Sequence, residues 1–404
     1  MKKVFTYIKG DKLIWGIVII LYIISMLTVY SVKGSITYKH FIIILMSMAL
    51  MYVTHLIKYT HYARISKLAI MVVAPLLLFT LFQGARNSAS RWLDIGGITF
   101  QTSDFAKVVL IMFLARLLTL KQDTIKDFNN SFLRLAIPVV LVCGMIFPEN
   151  LSTAGILFIT CVLMLYIGNA DGKHILLLVG AVFCLGLVFV GIKSVIHSKP
   201  AKTDSEQVAA SAPVKGAGRQ ATWKSRLNKF FHGDPDKSSQ ENIAKVAIAR
   251  GGIIGKMPGR STQKEILYAS ERDYIYAIFV EEYGFIGGFI LMLLYLLILF
   301  RSIMIVRGSP GTFGAFLSIG LSLLLVLQAF VHMSVSVNLI PVTGQTLPLV
   351  SMGGTSMVFS SISLGIILSV SAEIEKEEAL LKEAAANGEN PKNIQKEESE
   401  TEGQ

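Results

Sequence analysis

Long apolar runs, broken by short polar intervals, recur along most of this chain. They fall at residues 14–32, 41–57, 68–82, 105–120, 132–147, 153–168, 175–196, 283–306, 313–337 and 349–371. Runs of roughly 17 to 25 residues are long enough to cross a bilayer as helices, so the pattern predicts an all-α, polytopic transmembrane bundle of about ten spans. Residues 1–13 precede the spans, and 14–371 form the transmembrane domain. One interval breaks the rhythm: 197–273 is polar and far longer than a turn, a length that usually carries function. Its first part, 199–218, is rich in Ala, Lys, Ser, Gly and Pro and predicts a flexible linker. Its second part, 223–273, mixes Trp, Phe, Ile, Gly and charge and predicts short helices at head-group level. Residues 372–404 are rich in Glu, Lys and Ala, predicting an amphipathic helix that gives way to a disordered polar tail.

Composition sharpens this picture. Of 404 residues, 53% are hydrophobic and 16% charged, and the mean hydropathy is +0.59. One soluble core cannot hide that much apolar surface. The formal net charge of +11 points to anionic lipid or phosphate rather than nucleic acid, because basic residues in membrane proteins gather at cytoplasmic loops and lipid head groups. Alternating the short loops between sides puts about 14 Lys and Arg with the amino terminus and about 4 opposite. Both termini are therefore expected in the cytoplasm and the loop 197–273 outside. The first span is too long for a typical signal h-region and reads as uncleaved. Cys143, Cys161 and Cys184 sit in apolar runs without metal-ligand spacing and read as packing residues.

Four polar clusters carry candidate chemistry. The first holds Arg91-Trp92 and Gln101-Thr102-Ser103-Asp104-Phe105-Ala106-Lys107. Ser103 or Asp104 suits a helix cap, whereas Lys107, one turn into an apolar run, needs a carboxylate, a cavity or a phosphate unless it snorkels. The second is the tight turn Pro148-Glu149-Asn150-Leu151-Ser152-Thr153, where Asn150 or Ser152 caps the next helix and Glu149 is either functional or merely exposed. Third comes Arg250-Gly251-Gly252 through Gly255-Lys256 to Arg272-Asp273, followed by Glu281-Glu282-Tyr283-Gly284. Glycines permit close backbone approach and cations neutralise phosphate, yet the run matches neither a Walker A nor a Rossmann fingerprint. Asp273, at the apolar boundary, is either a general base or the partner of Arg272. Glu281 and Glu282 are either catalytic or tethers for nearby cations. The fourth, Pro341-Val342-Thr343-Gly344 through Ser351-Met352-Gly353-Gly354-Thr355-Ser356, implies a broken or re-entrant backbone, or else a tight turn with close helix packing.

Taken in order, these segments resemble the SEDS family (shape, elongation, division and sporulation), which includes FtsW, RodA and SpoVE, and the resemblance covers nearly the whole chain up to Ser371. Trp223-Lys224-Ser225-Arg226 with Phe230-Phe231 resembles the division branch, that of FtsW. The resemblance implies a peptidoglycan glycosyltransferase that uses lipid II and works with a class B penicillin-binding protein. It implies Asp273 as the catalytic acid and Lys107 as the family's basic residue in the fourth span. Three departures stand out: Gln101-Thr102-Ser103-Asp104 replaces Gln-Pro-Ser-Glu, Glu149-Asn150-Leu151-Ser152-Thr153 replaces Pro-Asp-Leu-Gly-Thr, and Glu271-Arg272-Asp273-Tyr274 replaces His-Thr-Asp-Phe, keeping the aspartate while its neighbours change charge.

The implied reaction is an inverting transfer. A sugar 4-hydroxyl of lipid II attacks the anomeric carbon of the undecaprenyl-pyrophosphate-linked glycan, and undecaprenyl pyrophosphate leaves. Asp273 takes the proton. The expected substrate-binding set is Arg91, Lys107, Glu149, Asn150, Lys256, Arg272, Glu281, Ser351, Gly353, Gly354 and Ser356. A divalent cation, Mg2+ or Mn2+, is a candidate aid, with no organic cofactor expected. Location at the division septum, with other divisome proteins as partners, completes the expectation. A lipid II flippase or transporter, or a non-catalytic divisome scaffold, remain the alternatives.

Overall fold

The structure, a computed structural model, describes residues 9–33, 37–84, 92–95, 98–196, 226, 228, 230–232, 239–267, 270–309 and 311–386. The helices are α1 (Lys12–Lys33), α2 (Thr37–Leu56), α3 (Tyr59–Gly84), α4 (Thr102–Leu120), α5 (Leu133–Ile146), α6 (Leu151–Ile167) and α7 (Gly172–Ile196). A short helix α8 (Gln240–Gly251) lies in the long loop, and α9 (Ile275–Gly308), α10 (Thr312–Ser336) and α11 (Thr355–Ala386) complete the bundle. Apart from α8, these helices fall on the ten apolar runs, and the all-α polytopic class is borne out. Seven are both long and apolar enough to cross a membrane by length and composition, with α6 and part of α7 as shorter apolar helices. The chain is a multi-pass membrane protein.

Two helices measure the membrane. Asp11 caps α1 by accepting from Leu13 N (2.9 Å) and Ile14 N (3.0 Å), and its other oxygen holds Arg301 of α9 through Nε (2.8 Å) and Nη2 (2.5 Å). At the opposite end, Ser31 of α1 donates to Glu282 of α9. Between the two pairs, each helix runs about 28 to 30 Å at 1.5 Å per residue, close to the hydrocarbon thickness of a bilayer. Gly10 N also donates to Glu375 Oε2 of α11 (2.8 Å). The described amino-terminal residues and the Glu375 turn of α11 therefore meet at one face of the bundle, and the long loop sits at the other.

The core runs through α1, α4, α9, α10 and α11, where Leu21, Leu110, Leu114, Tyr295, Leu321 and Leu364 are fully buried. Phe79, Phe183, Phe285 and Phe289 are exposed on the rim, as a bilayer-facing surface requires. Cys143 and Cys161 are buried, but Cys184 is exposed on α7, so it does not pack in the core.

Three elements depart from the apolar pattern. First, α9 begins at Ile275 rather than near 283, with a break at Gly284 (φ 71°, ψ −175°). Second, α11 begins at Thr355 rather than 349, because residues 338–354 are non-helical. Third, an antiparallel hairpin, β1 (Trp92–Ile95) and β2 (Ile98–Gln101), pairs Trp92 with Gln101 and Ile95 with Ile98 before α4. Phe100 of this hairpin packs on Phe105 of α4 (6.3 Å) and Phe359 of α11 (5.7 Å).

A candidate active site at the membrane boundary

Asp273 lies in the turn that leads into α9, half-buried, at the face remote from Asp11 and Arg301. A small apolar cluster seats this turn: Ile243, Ala244 and Ala247 of α8 pack with Leu267, Tyr274, Ala277 and Ile278. Burial raises the pKa of the Tyr274 hydroxyl, with the carboxylates of Glu241 and Asp273 adding to the effect, so the phenol beside Asp273 stays protonated.

The non-helical segment 338–354 clamps the same turn. Met352 N donates to Glu271 O (2.9 Å) and Ser351 Oγ donates to Arg272 O (2.9 Å), while Leu347 N donates to Ser351 Oγ (2.8 Å). Arg272 itself is exposed, and Glu271 pairs with Lys33 of α1 (3.3 Å). The segment is pinned from several sides. Tyr295 OH donates to Pro348 O (2.5 Å), Ser25 Oγ to Val350 O (2.8 Å), Arg226 Nη1 to Val342 O (3.1 Å). Irregular backbone near membrane depth survives only where protein satisfies its polar groups, and here α1, α9 and the long loop supply those donors. Gly353 and Gly354 turn the chain into α11, Gly354 with φ of +50°, and Thr346 and Ser356 share a hydroxyl bond (2.8 Å).

The same segment reaches the polar start of α4. Lys107 is 5% exposed and Asp104 3%, and Lys107 Nζ lies 2.8 Å from Asp104 Oδ1. It also donates to Gln328 Oε1 (3.1 Å), and Gln328 Nε2 donates to Thr346 O (3.0 Å). Thr355 Oγ1 reaches the other Asp104 oxygen at 3.4 Å. Lys107 is thus a buried, paired cation. Asp104 is its partner rather than a helix cap, and Ser103 does not cap either: Gln101 holds that position without a side-chain cap bond. On the adjoining side, Asn150 caps α6 by accepting from Thr153 N (3.2 Å), and Gln345 Nε2 reaches Thr153 Oγ1 (2.7 Å) and Asn150 Oδ1 (3.5 Å). His332 Nδ1 is 2.8 Å from Gln345 O. Glu149 is half-buried in this turn.

The glycine-rich run has a different geometry. Gly255 and Gly284 face each other, and a Cβ on either would overlap backbone of the other segment. Lys256 N donates to Glu281 O (3.0 Å), Met257 N to Glu282 O (2.9 Å), and Phe285 N to Gly252 O (2.9 Å). The positive φ at Gly284 frees those helix groups, and the loop takes them up. What these glycines approach is α9 itself. Glu281 is fully buried and holds Lys256 Nζ (2.9 Å), Ser261 Oγ (2.5 Å), Thr262 N (3.2 Å) and Gln263 N (3.3 Å). It tethers the loop.

Arg91 lies outside the described residues, as do 199–218, Trp223 to Ser225 and the tail beyond 386. Asp104, Gln328, His332, Gln345 and Thr346 join the site without having been expected there. Gln328 and His332 carried a signal, since two polar residues four apart on one face of an apolar run mark a polar seam. Among the described residues no group of three or more His, Cys, Asp or Glu side chains gathers. They offer a divalent cation no ready set of ligands. A cleft of about 500 Å³ lies at the other face, lined by Asp11, Arg301 and Glu375, and is not part of this site.

A multi-pass membrane helix bundle whose non-helical segment clamps a carboxylate-bearing turn at one face is the class of protein this geometry defines. Residues 10–376 match the cell cycle protein family of FtsW, RodA and SpoVE. The chain belongs to that family. It is 33% identical over 313 residues to stage V sporulation protein E of Bacillus subtilis (strain 168), covering 76% of this chain and 78% of that protein. To the probable peptidoglycan glycosyltransferase FtsW of the same organism it is 30% identical, covering 77% and 74%. Among solved structures it resembles a chain from work described as "Structural coordination of polymerization and crosslinking by a peptidoglycan synthase complex", with a TM-score of 0.70, 19% identity, and coverage of 90% and 98%. The rod shape determining protein RodA of Thermus thermophilus gives 0.64, 18%, 91% and 98%. These structural likenesses establish a shared fold.

Proposed function

We propose that this chain is a peptidoglycan glycosyltransferase that polymerises lipid II into glycan strands during cell division, with undecaprenyl pyrophosphate as leaving group. The observation that carries the reading is the clamp on the Asp273 turn, at the face opposite the joined ends of α1 and α11. A general base must be held within reach of one proton, and the bonds from Ser351 and Met352 hold the two residues before Asp273. In this reading Asp273 accepts the proton of the attacking hydroxyl, and the sugar's anomeric carbon inverts as the pyrophosphate leaves. Lys107 contributes as half of a pair: a pyrophosphate oxygen competing with Asp104 for its ammonium gains a cation in a dry setting, where charge stabilisation is strongest. Arg272, exposed beside Asp273, and Arg91 are the cations assigned to the approaching diphosphate.

Both termini are placed in the cytoplasm by the loop-charge asymmetry, which puts Asp273 outside, where the partner would be a class B penicillin-binding protein at the septum. The names of the FtsW relatives support the activity, and the synthase-complex neighbour supports the partner. A transporter is less well supported, because its binding groups would be expected near the bilayer midplane, whereas the turn bearing Asp273 lies at one face.

Purified protein supplied with lipid II, alone and with its cognate transpeptidase, tests the reading. Polymer should form, and Asp273→Asn should lower the rate by about 100- to 10,000-fold. Altered lipid sidedness without polymer would mean a flippase, and full activity in Asp273→Asn would remove Asp273 as the base.

A further inference from the structure

We propose that the loop tip Ile253, Ile254 and Met257, with Arg250 and Arg260 beside it, is a membrane-interface anchor seated in the phospholipid leaflet next to α9. Ile253 and Ile254 are 70% and 77% exposed and Met257 59%, and their backbone is fixed. Beyond the three bonds already given, Ile286 N donates to Ile253 O (3.2 Å), so the tip cannot fold away and bury these side chains elsewhere. Met257 is held at φ 80°, a conformation disfavoured for a side chain of its kind, and that turn leaves its side chain exposed.

The depth of the tip follows from the two helices that measure the membrane. Gly284 lies about 26 Å along α9 from Arg301 at 1.5 Å per residue, which is the opposite hydrocarbon boundary. The tip is hydrogen-bonded at that level. Its exposed isoleucines continue the lipid-facing surface formed by Phe285, Ile286, Phe289 and Ile290 of α9, all exposed. Charge matches the same occupant. Arg250 and Arg260 are exposed, and Arg250 Nη1 donates to a hydroxyl, Thr262 Oγ1, at 3.0 Å. An apolar tip flanked by arginines at head-group depth has the composition of an interfacial anchor, its side chains at the acyl boundary and its cations among the phosphates. This assignment is independent of the proposed reaction.

Spin labelling of the full chain tests it. Cys143 and Cys161 are buried, so Cys184→Ser gives a background for single labels at Ile253→Cys, Ile254→Cys, Ile286→Cys on the lipid-facing side of α9, and Lys245→Cys on the exposed face of α8. Each variant is reconstituted without any partner in vesicles of phosphatidylcholine and phosphatidylglycerol. The ratio of collisions with oxygen to collisions with a water-soluble nickel chelate is then measured. Labels at 253 and 254 should match 286 and exceed 245 severalfold. Values equal to that at 245 would overturn the anchor, since a tip awaiting a protein partner stays in water. With Arg250→Gln and Arg260→Gln combined, the ratio at 254 should fall toward the aqueous value, and an unchanged ratio would overturn the role of the arginines.

Discussion

Ser351 Oγ bridges two strands of chain, accepting from Leu347 N at 2.8 Å and donating to Arg272 O at 2.9 Å. A single buried hydroxyl therefore couples the curvature of the non-helical segment to the position of the residue beside Asp273. Removing it in Ser351→Ala leaves a buried N–H and a carbonyl short of partners, a cost of about 1–3 kcal/mol. Thermal unfolding should report that loss. Polymerisation should fall further than the unfolding shift explains, because the Asp273 turn loses its clamp. Equal, small effects on both would show that Ser351 only stabilises.

Asp104 and Lys107 form a buried pair, and breaking such a pair from one side leaves an uncompensated charge. Asp104→Asn and Lys107→Met should each destabilise by about 3–5 kcal/mol. The double variant should cost clearly less than the sum of the two, as residues in direct contact couple. Strict additivity in a thermal or denaturant cycle would dissolve the pair.

At Gly284 a side chain meets two penalties together: positive φ, costing about 1–3 kcal/mol for a non-glycine residue, and overlap with the backbone of the 253–255 turn. Gly284→Ala should lower thermal stability and open the loop 252–264 to protease. Resistance equal to that of the parent would mean that the break in α9 does not hold the loop.

Asp127, between α4 and α5, accepts from the Asn130 side chain (2.7 Å) and from the main chain of Asn129 and Asn130. These bonds, the Asn130 side chain first, hold its pKa below the ordinary carboxylate value. A depressed folded pKa contributes stability that is fully present above the unfolded value of about 3.9. That stability is lost as pH falls through the lower folded value. Amide exchange of residues 129–132 should accelerate over that acidic window in the parent and lose its pH step in Asp127→Asn.

Much of the fold was legible because lipid imposes a single length on the chain's apolar runs: each run coincides with a helix, and Lys12–Lys33 and Thr312–Ser336 are among the seven described helices long and apolar enough to cross a membrane. The start of α9 was misplaced because Glu281 and Glu282 read as polar boundary residues. In fact Glu281 is buried by its own ring of donors and Glu282 by Ser31. Asn150 as a cap followed from local chemistry. Asp104 as the partner of Lys107 did not, since a carboxylate in a first turn satisfies a cap and an i,i+3 pair equally well in one dimension. Gln345 and Thr346 lie inside the Pro341–Ser356 motif with no local feature that marks them. Their roles depend on α4, α6 and α10 arriving at the same place, which no local pattern encodes.

The paired ends of α1 and α9 also set a mechanical constraint. With Asp11 bound to Arg301 at one surface and Ser31 to Glu282 at the other, these two helices cannot slide or tilt past one another without breaking a polar contact. A lipid environment thicker or thinner than their common length costs fractions of a kcal/mol for each ångström of mismatch. Both polar contacts carry that load, and the Ser31–Glu282 end lies nine residues along the chain from Asp273. Acyl-chain length in the surrounding bilayer thereby sets the strain that this pair of helices must bear.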